Sequence, residues 1–357
     1  MRLFLIEEPL SRLRQRIELS SHVDCRQLPS FRILFGFFLL YAGIPDSEWV
    51  GYAPDGFFAP PRLSIANLFN GFPPRAFFTA ADYLSFCCAA CILLGIRARV
   101  AATLLFFVVI TTSSFRYSLG KIDHNIMLNL VVILMAQTNW ATTLAIMPDR
   151  QVSQKRSAAA LGMIAVCICF GMFTAGYEKS LAWVDFDMSQ SGFVGWWQMC
   201  FFLNDRKDFL APLVAHFPNW LLEAFDYMAV LFELSPFVML VLGVAYWRVW
   251  LLIAGIFHLA NVLFLNISFV GHVMVYGVFI LPYFTYHAET FFCSRKIMGK
   301  HPGIGLGLVG IAGIFVVLAR PSSLLDFSIF AWGAYILACV ALLTAVVRQK
   351  RLVVECA

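Results

Sequence analysis

The sequence predicts an all-α polytopic transmembrane helical bundle of about ten spans with both termini cytoplasmic. Three observations predict it. Of 357 residues, 61% are hydrophobic and only 13% charged, at a mean hydropathy of +0.78, whereas a soluble domain carries about 25% charge. Apolar stretches recur near the length of about 20 residues that a helix needs to cross the hydrocarbon core. Lys and Arg fall unevenly between alternate connections, as the positive-inside rule requires.

Ten stretches qualify as spans, near residues 31–50, 76–96, 100–115, 122–140, 158–177, 222–246, 249–270, 272–290, 303–319 and 328–347. The first runs into Pro45, Asp46 and Glu48, and the third ends in Thr111, Thr112, Ser113 and Ser114. With the N-terminus inside, the inner segments hold 18 of the 26 Lys and Arg. Residues 1–30 form a basic, amphipathic cytoplasmic segment with Arg12, Arg14 and Arg16, expected on the inner membrane surface. It lacks the short apolar core and small-residue cleavage site of a signal peptide. Residues 31–290 make the main membrane domain, and residues 291–357 add two more hydrophobic helices and a basic tail. Two long outer connections, near 45–75 and 178–221, are rich in aromatic residues of the kind that favour the headgroup layer.

The composition excludes several functions. The net charge of +5 is scattered between apolar runs rather than gathered on one face, so nucleic acid is not an expected partner. Nine of ten cysteines fall in spans or inside, and Cys200 alone is expected to face outward, so no disulfide framework follows. Cys87, Cys88 and Cys91 contain a C-x-x-C pair that reads either as packing within a helix or as a redox or metal pair. No H-E-x-x-H, phosphate-binding Gly loop or G-x-S-x-G elbow occurs, and no metal is predicted.

Ionisable groups inside spans are costly and mark functional positions. The fourth span opens with Asp123, His124 and Asn125 and continues to Asn129. Either His124 enters the membrane from outside as a functional group, or Asp123 caps the helix while His124 reaches back to the interface. Lys179 ends the fifth span and is either an interfacial anchor or a desolvated amine able to act as a general base. Desolvation favours the neutral amine and the neighbouring Glu178 would favour the charged one, so which effect wins depends on whether Glu178 points at Lys179. In the sixth span Glu223, Asp226 and Glu233 share one helical face, ahead of a kink expected at Pro236. Glu223 and Asp226 can be solvated at the outer end, but Glu233 lies too deep for that. His258 and Asn261, spaced i, i+3 in the seventh span, either join helices through hydrogen bonds or line a polar pocket.

In order and spacing, Asp123-His124, Ala175-Gly176-Tyr177-Glu178-Lys179 with Trp183, Glu233-Leu234-Ser235 and His258 with Asn261, Ile267 and Phe269 form one set. Over roughly residues 25–290 this set resembles the membrane domain of vitamin K-dependent gamma-carboxylase and the wider horizontally transferred transmembrane (HTTM) family. The resemblance implies a membrane enzyme with a reduced quinone, vitamin K-like, as cofactor. Lys179 stands at the position of the base that deprotonates the quinol, and His124 at a histidine associated with that step. The pocket is implied to include His258, Asn261, Glu233 and Asp123. The chain departs from the carboxylases in having Glu178 where they carry a second lysine, and in lacking their large outward domain. Carboxylation therefore does not carry over, and the implied reaction is quinol- and oxygen-coupled modification of a secreted peptide or other partner. The expected setting is the bacterial inner membrane, among membrane lipids, with the pocket toward the outer side. A non-enzymatic maturation or immunity partner, or a lipid-binding scaffold, is the alternative.

Overall fold

The computed structural model describes residues 4–44, 46–120, 125–185, 187, 189–294 and 324–355. These residues are helical throughout their ordered elements, and an isolated bridge between Ile96 and Met147 stands outside any named strand. Six helices are long and apolar enough to cross a membrane: Leu28–Tyr52, Arg75–Leu94, Ala98–Arg116, Gln154–Ala182, Val244–Leu265 and Asp326–Ala345. A seventh span exists if Asn219–Leu234 and Pro236–Leu242, bent by 48°, count as one. The expected span 303–319 lies outside the described residues.

The chain forms two compact units. One holds α2 (Leu28–Phe38), α3 (Arg75–Leu94), α4 (Ala98–Arg116), α5 (Asn125–Met135) and most of α12 (Leu281–Ser294). The other holds α1 (Phe4–Ser20), α7 (Gly192–Gln198), α8 (Asn219–Leu234), α9 (Pro236–Leu242), α10 (Val244–Leu265), α11 (Val270–Gly277) and α13 (Leu324–Glu355). The boundary falls within α6 (Gln154–Ala182), after Ile164.

In the first unit, buried arginines close the helix ends on which the basic residues gather. Arg32 is fully buried and donates to the carbonyls of Thr143 and Leu144. It crosses the left-handed turn at Gly95, φ 68°, where a Cβ would lie 2.6 Å from its Nη1. Arg99 donates to Ala136 O at 2.9 Å and Arg150 O at 3.0 Å, and its own N–H reaches Asp149 at 2.8 Å. Helix termini leave four carbonyls unpaired, and a guanidinium supplies several donors at once. The expected span 122–140 is shortened for a related reason. α5 ends at Met135 in a tighter turn, and the Asn139 side chain then clasps Val152 through both N–H (2.8 Å) and carbonyl (3.1 Å).

At the other end of this unit, aromatic residues from the 46–75 connection pack onto α3 and α4. Phe115 is fully buried, with ring centroids 5.0 Å from Phe69, 5.7 Å from Phe78 and 6.3 Å from Phe58. The Asp82 carboxylate accepts backbone N–H groups of Ser47 and Glu48, both at 3.0 Å, tying the start of that connection to α3.

In the second unit the expected kink at Pro236 is present, and its cost is offset locally. Proline lacks the N–H that Phe232 O would accept in a straight helix. Three other donors replace it: the Ser235 hydroxyl at 2.8 Å, Ser235 N at 3.3 Å and the Trp250 indole at 3.3 Å. Phe232, Trp250 and Trp247 stack in a row, at 5.1 and 5.3 Å and nearly parallel. α13 packs on α10 where Gly255 lets Tyr335 approach, and the Tyr335 hydroxyl donates to Leu251 O at 3.3 Å. α1 packs against α9 and α10. The expected straight span 272–290 is instead two short helices, because Gly277 ends α11 and Pro282 opens α12.

Trp250→Phe keeps a ring in the stack but removes the donor at the kink. It should lower stability by about 0.5–1.5 kcal/mol, the net worth of one hydrogen bond while the Ser235 donors remain, measured by unfolding of the purified protein in mixed detergent micelles.

Candidate functional site: an ion pair between two membrane helices

One face of α6 assembles the site. Met172, Gly176, Lys179 and Trp183 succeed one another at spacings of four, three and four, which align on a helix. Gly176 brings α6 against α8, since a Cβ there would lie 2.8 Å from Glu233 Cβ. One turn on, Lys179 Nζ forms an ion pair with Glu233 Oε1. The Lys179 side chain is 25% exposed and that of Glu233 only 4%.

The question left by sequence therefore has an answer. Glu178 is exposed, and the carboxylate on Lys179 comes from 54 residues away, on α8. The Trp183 ring covers the other side of the ammonium, with Nζ 5.1 Å from its centroid, a geometry in which the ring quadrupole attracts the charge. The position of Trp183 is set in turn by Gly192, where a Cβ would fall 2.3 Å from the indole. Gly192 is held by Asp226, whose carboxylate accepts the N–H of Gly192 at 2.9 Å and of Phe193 at 2.8 Å.

The acidic stripe on α8 is buried along its whole length. Glu223 is 4%, Asp226 0% and Glu233 3% exposed. The solvated reading of Glu223 and Asp226 is thus overturned. Trp197, Cys200 and Val214, from the chain ahead of α8, pack with Leu222 of α8 and Leu265 of α10. The same packing buries Cys200, whose Sγ lies 3.9 Å from Arg206 Nη1.

His258 lies deeper. Its Nε2 is 3.1 Å from the Tyr276 hydroxyl, which also reaches Met172 Sδ at 3.4 Å. Phe269, Trp332 and His272 surround the imidazole at centroid distances of 4.7, 5.1 and 5.2 Å. Met172 precedes Lys179 by two helical turns, a rise of about 10 Å, so the His258–Tyr276 pair and the Lys179–Glu233 pair meet one seam of α6 at different depths. Asn261 is half-buried one turn along α10 from His258, and its side chain makes no hydrogen bond among the described residues. Asp123 and His124 lie outside the described residues.

Tyr276, Trp332, Asn266 and Asp226 carry structural roles that sequence reading did not assign. Asn266, at φ 52°, ends α10 and brackets Asp208 through its carboxamide, at 2.8 and 3.1 Å. A residue able to adopt the left-handed conformation after a long apolar run was the available signal. Among the described residues no three His, Cys, Asp or Glu side chains gather in a form that could hold a metal ion.

Comparison with protein-family models, with curated proteins and with solved structures finds no match to this chain.

Removing one member of a buried ion pair strands the other. Lys179→Met should therefore destabilise by about 3–5 kcal/mol, because Glu233 has no path to water. Glu233→Leu should cost less, since Lys179 is partly exposed and can turn outward. The double variant should be more stable than Lys179→Met alone. Detergent-unfolding midpoints of the three variants test this ordering.

Proposed function

We propose that the protein is a quinol-dependent enzyme of the membrane, gamma-carboxylase-like, in which Lys179 is the general base. The supporting observation is the Lys179–Glu233 pair itself: a partly accessible amine, roofed by an indole and backed by a carboxylate whose Oε2 is buried without a hydrogen-bond partner. An unfilled buried acceptor beside an amine fits a ligand hydroxyl, whose single proton can rest on Oε2 when the ligand binds and pass to Nζ once the amine is neutral. A bound reduced quinone would supply an ionisable aromatic hydroxyl and two electrons.

The residues of the chain then divide the work. Glu233 takes a proton from Lys179 Nζ at Oε1, leaving a neutral amine. Lys179 accepts the proton of the ligand hydroxyl at Nζ and returns to the ammonium form, which Trp183 stabilises from the opposite side. Asp226 and Gly192 are positioning residues for Trp183. His258, through Tyr276, presents a polar edge in an aromatic chamber two turns deeper, with Asn261 beside it. His124 and Asp123 keep the roles that the family resemblance implies.

The full arrangement is ten spans with both termini cytoplasmic, in a bacterial inner membrane, with the site toward the outer leaflet. Its support is the common end of the first unit shared by Arg32, Arg97, Arg99, Arg150 and Arg156. The partner acted on is a secreted peptide or other outward molecule.

A second reading has an observation of its own: the ion pair gives Lys179 a charged partner on the neighbouring helix, as a clamp between α6 and α8 in a non-enzymatic scaffold would. Lys179→Arg separates the two. Guanidinium keeps the pair but does not deprotonate at working pH. The enzyme reading predicts a properly folded variant that no longer supports oxygen-dependent consumption of reduced vitamin K by the purified protein in nanodiscs. Consumption equal to the unaltered protein would assign Lys179 to the clamp.

A further inference from the structure

The end of the first unit where Arg32 and Arg99 close the helix ends also gathers cations that the fold does not use. Backbone bonds draw the chain together there. Ile146 N–H donates to Leu94 O at 3.1 Å, Met147 N–H to Gly95 O at 3.0 Å and Arg97 N–H to Met147 O at 3.3 Å. Arg99 donates to the carbonyls of Ala136 and Arg150, and Arg156 donates to the side chain of Gln137, the residue after Ala136. Segments 94–100 and 136–157 are thereby one junction. It carries Arg97, Arg99, Arg150, Lys155 and Arg156 against a single carboxylate, Asp149.

That carboxylate is already engaged. Asp149 accepts the backbone N–H of Arg99 at 2.8 Å and lies within electrostatic range of the buried Arg32. Arg97, Arg150 and Lys155 are exposed, and among the described residues their side chains make no hydrogen bond or ion pair. Arg97 and Arg150 enter the junction through backbone groups alone. The same junction exposes Leu94, Val100, Ile146 and Met147. Leu94 and Val100 belong to two helices of spanning length, Arg75–Leu94 and Ala98–Arg116. Free cations bordering exposed apolar side chains at the ends of two such helices fit a lipid, whose phosphate and acyl chains meet both kinds of group at once.

We propose that this junction binds the headgroup of an anionic phospholipid, with Arg97 and Arg150 on the phosphate and Ile146 and Met147 against the acyl chains. A guanidinium offers paired N–H donors to phosphate oxygens, and Lys155 adds a further positive charge. The excess of cations over carboxylates disfavours a zwitterionic headgroup, whose ammonium they repel. Inorganic phosphate would meet the cations but leave the four apolar side chains uncovered. The inference is independent of the Lys179 reading: it concerns residues of the other unit and involves no turnover.

The full-length protein in nonionic detergent micelles is titrated with phosphatidylglycerol and with phosphatidylcholine of the same acyl chains, and bound lipid is counted by native mass spectrometry. Phosphatidylglycerol should bind saturably, about tenfold or more tighter than phosphatidylcholine, as two or more cations at a headgroup allow. Arg97→Asn combined with Arg150→Gln should remove that preference. Asparagine tolerates the φ of 47° at position 97, and neither arginine side chain holds the fold. Arg62→Gln, an exposed cation of the 46–75 connection, should leave the preference unchanged. Equal affinity for the two lipids, an intact preference in the double variant, or the same loss in Arg62→Gln would overturn the assignment. Displacement of the lipid by inorganic phosphate at comparable concentration would overturn it in favour of a soluble anion. If the double variant does not fold, Arg150→Gln alone decides, with a weakening of about threefold or more expected and unchanged affinity counting against the site.

Discussion

A carboxylate buried between membrane helices has to find a cation, and Glu233 finds Lys179. That requirement organises the packing of α6 on α8 in the second unit. Gly176 admits α8 to the α6 surface, the ion pair closes one turn later, and Trp183 shields the ammonium. Asp226 extends the arrangement by fixing the start of α7, against which the indole lies. Each step is a polar group satisfied by one neighbour while leaving the next in place. Charges that pair in a low-dielectric setting interact strongly only when their geometry is held, and here it is held by two glycines and a tryptophan.

The same economy runs through both units. Where the chain interrupts a helix, a side chain supplies what the backbone lost: Arg32 and Arg99 at helix ends, Asn139 after α5, Trp250 at the Pro236 kink and Asn266 after α10. Backbone groups in a hydrocarbon environment cannot turn to water, so breaks are confined to places where such donors and acceptors are at hand. Glu223 and the Oε2 of Glu233 stand out against this background as acceptors left open.

Much of this was legible in the sequence. Apolar length located the long helices, and proline located the kink. The depth of Glu233 implied a partner, but not which one, because a contact across 54 residues depends on how α6 and α8 pack. Glu178, adjacent to Lys179, was the local candidate and points away, as consecutive helical positions diverge by about 100°. Burial of Glu223, Asp226 and Cys200 was equally out of reach. It comes from the chain ahead of α8 packing against that helix, and such irregular segments carry no periodic signal. The broken stretch after residue 270 shows the opposite error: continuous hydropathy hid Gly277 and Pro282, whose backbone effects outweigh composition.

Chemical modification of lysines from the outer face bears on the ion pair most directly. A membrane-impermeant, amine-reactive ester applied to sealed cells, read by peptide mass spectrometry, reports which ammonium groups the reagent can reach. Lys207, with a side chain 52% exposed, serves as the reference. The account predicts rapid modification of Lys207, protection of Lys179, and loss of that protection in Glu233→Ala. Lys179 reacting as readily as Lys207 in the unaltered protein would contradict it.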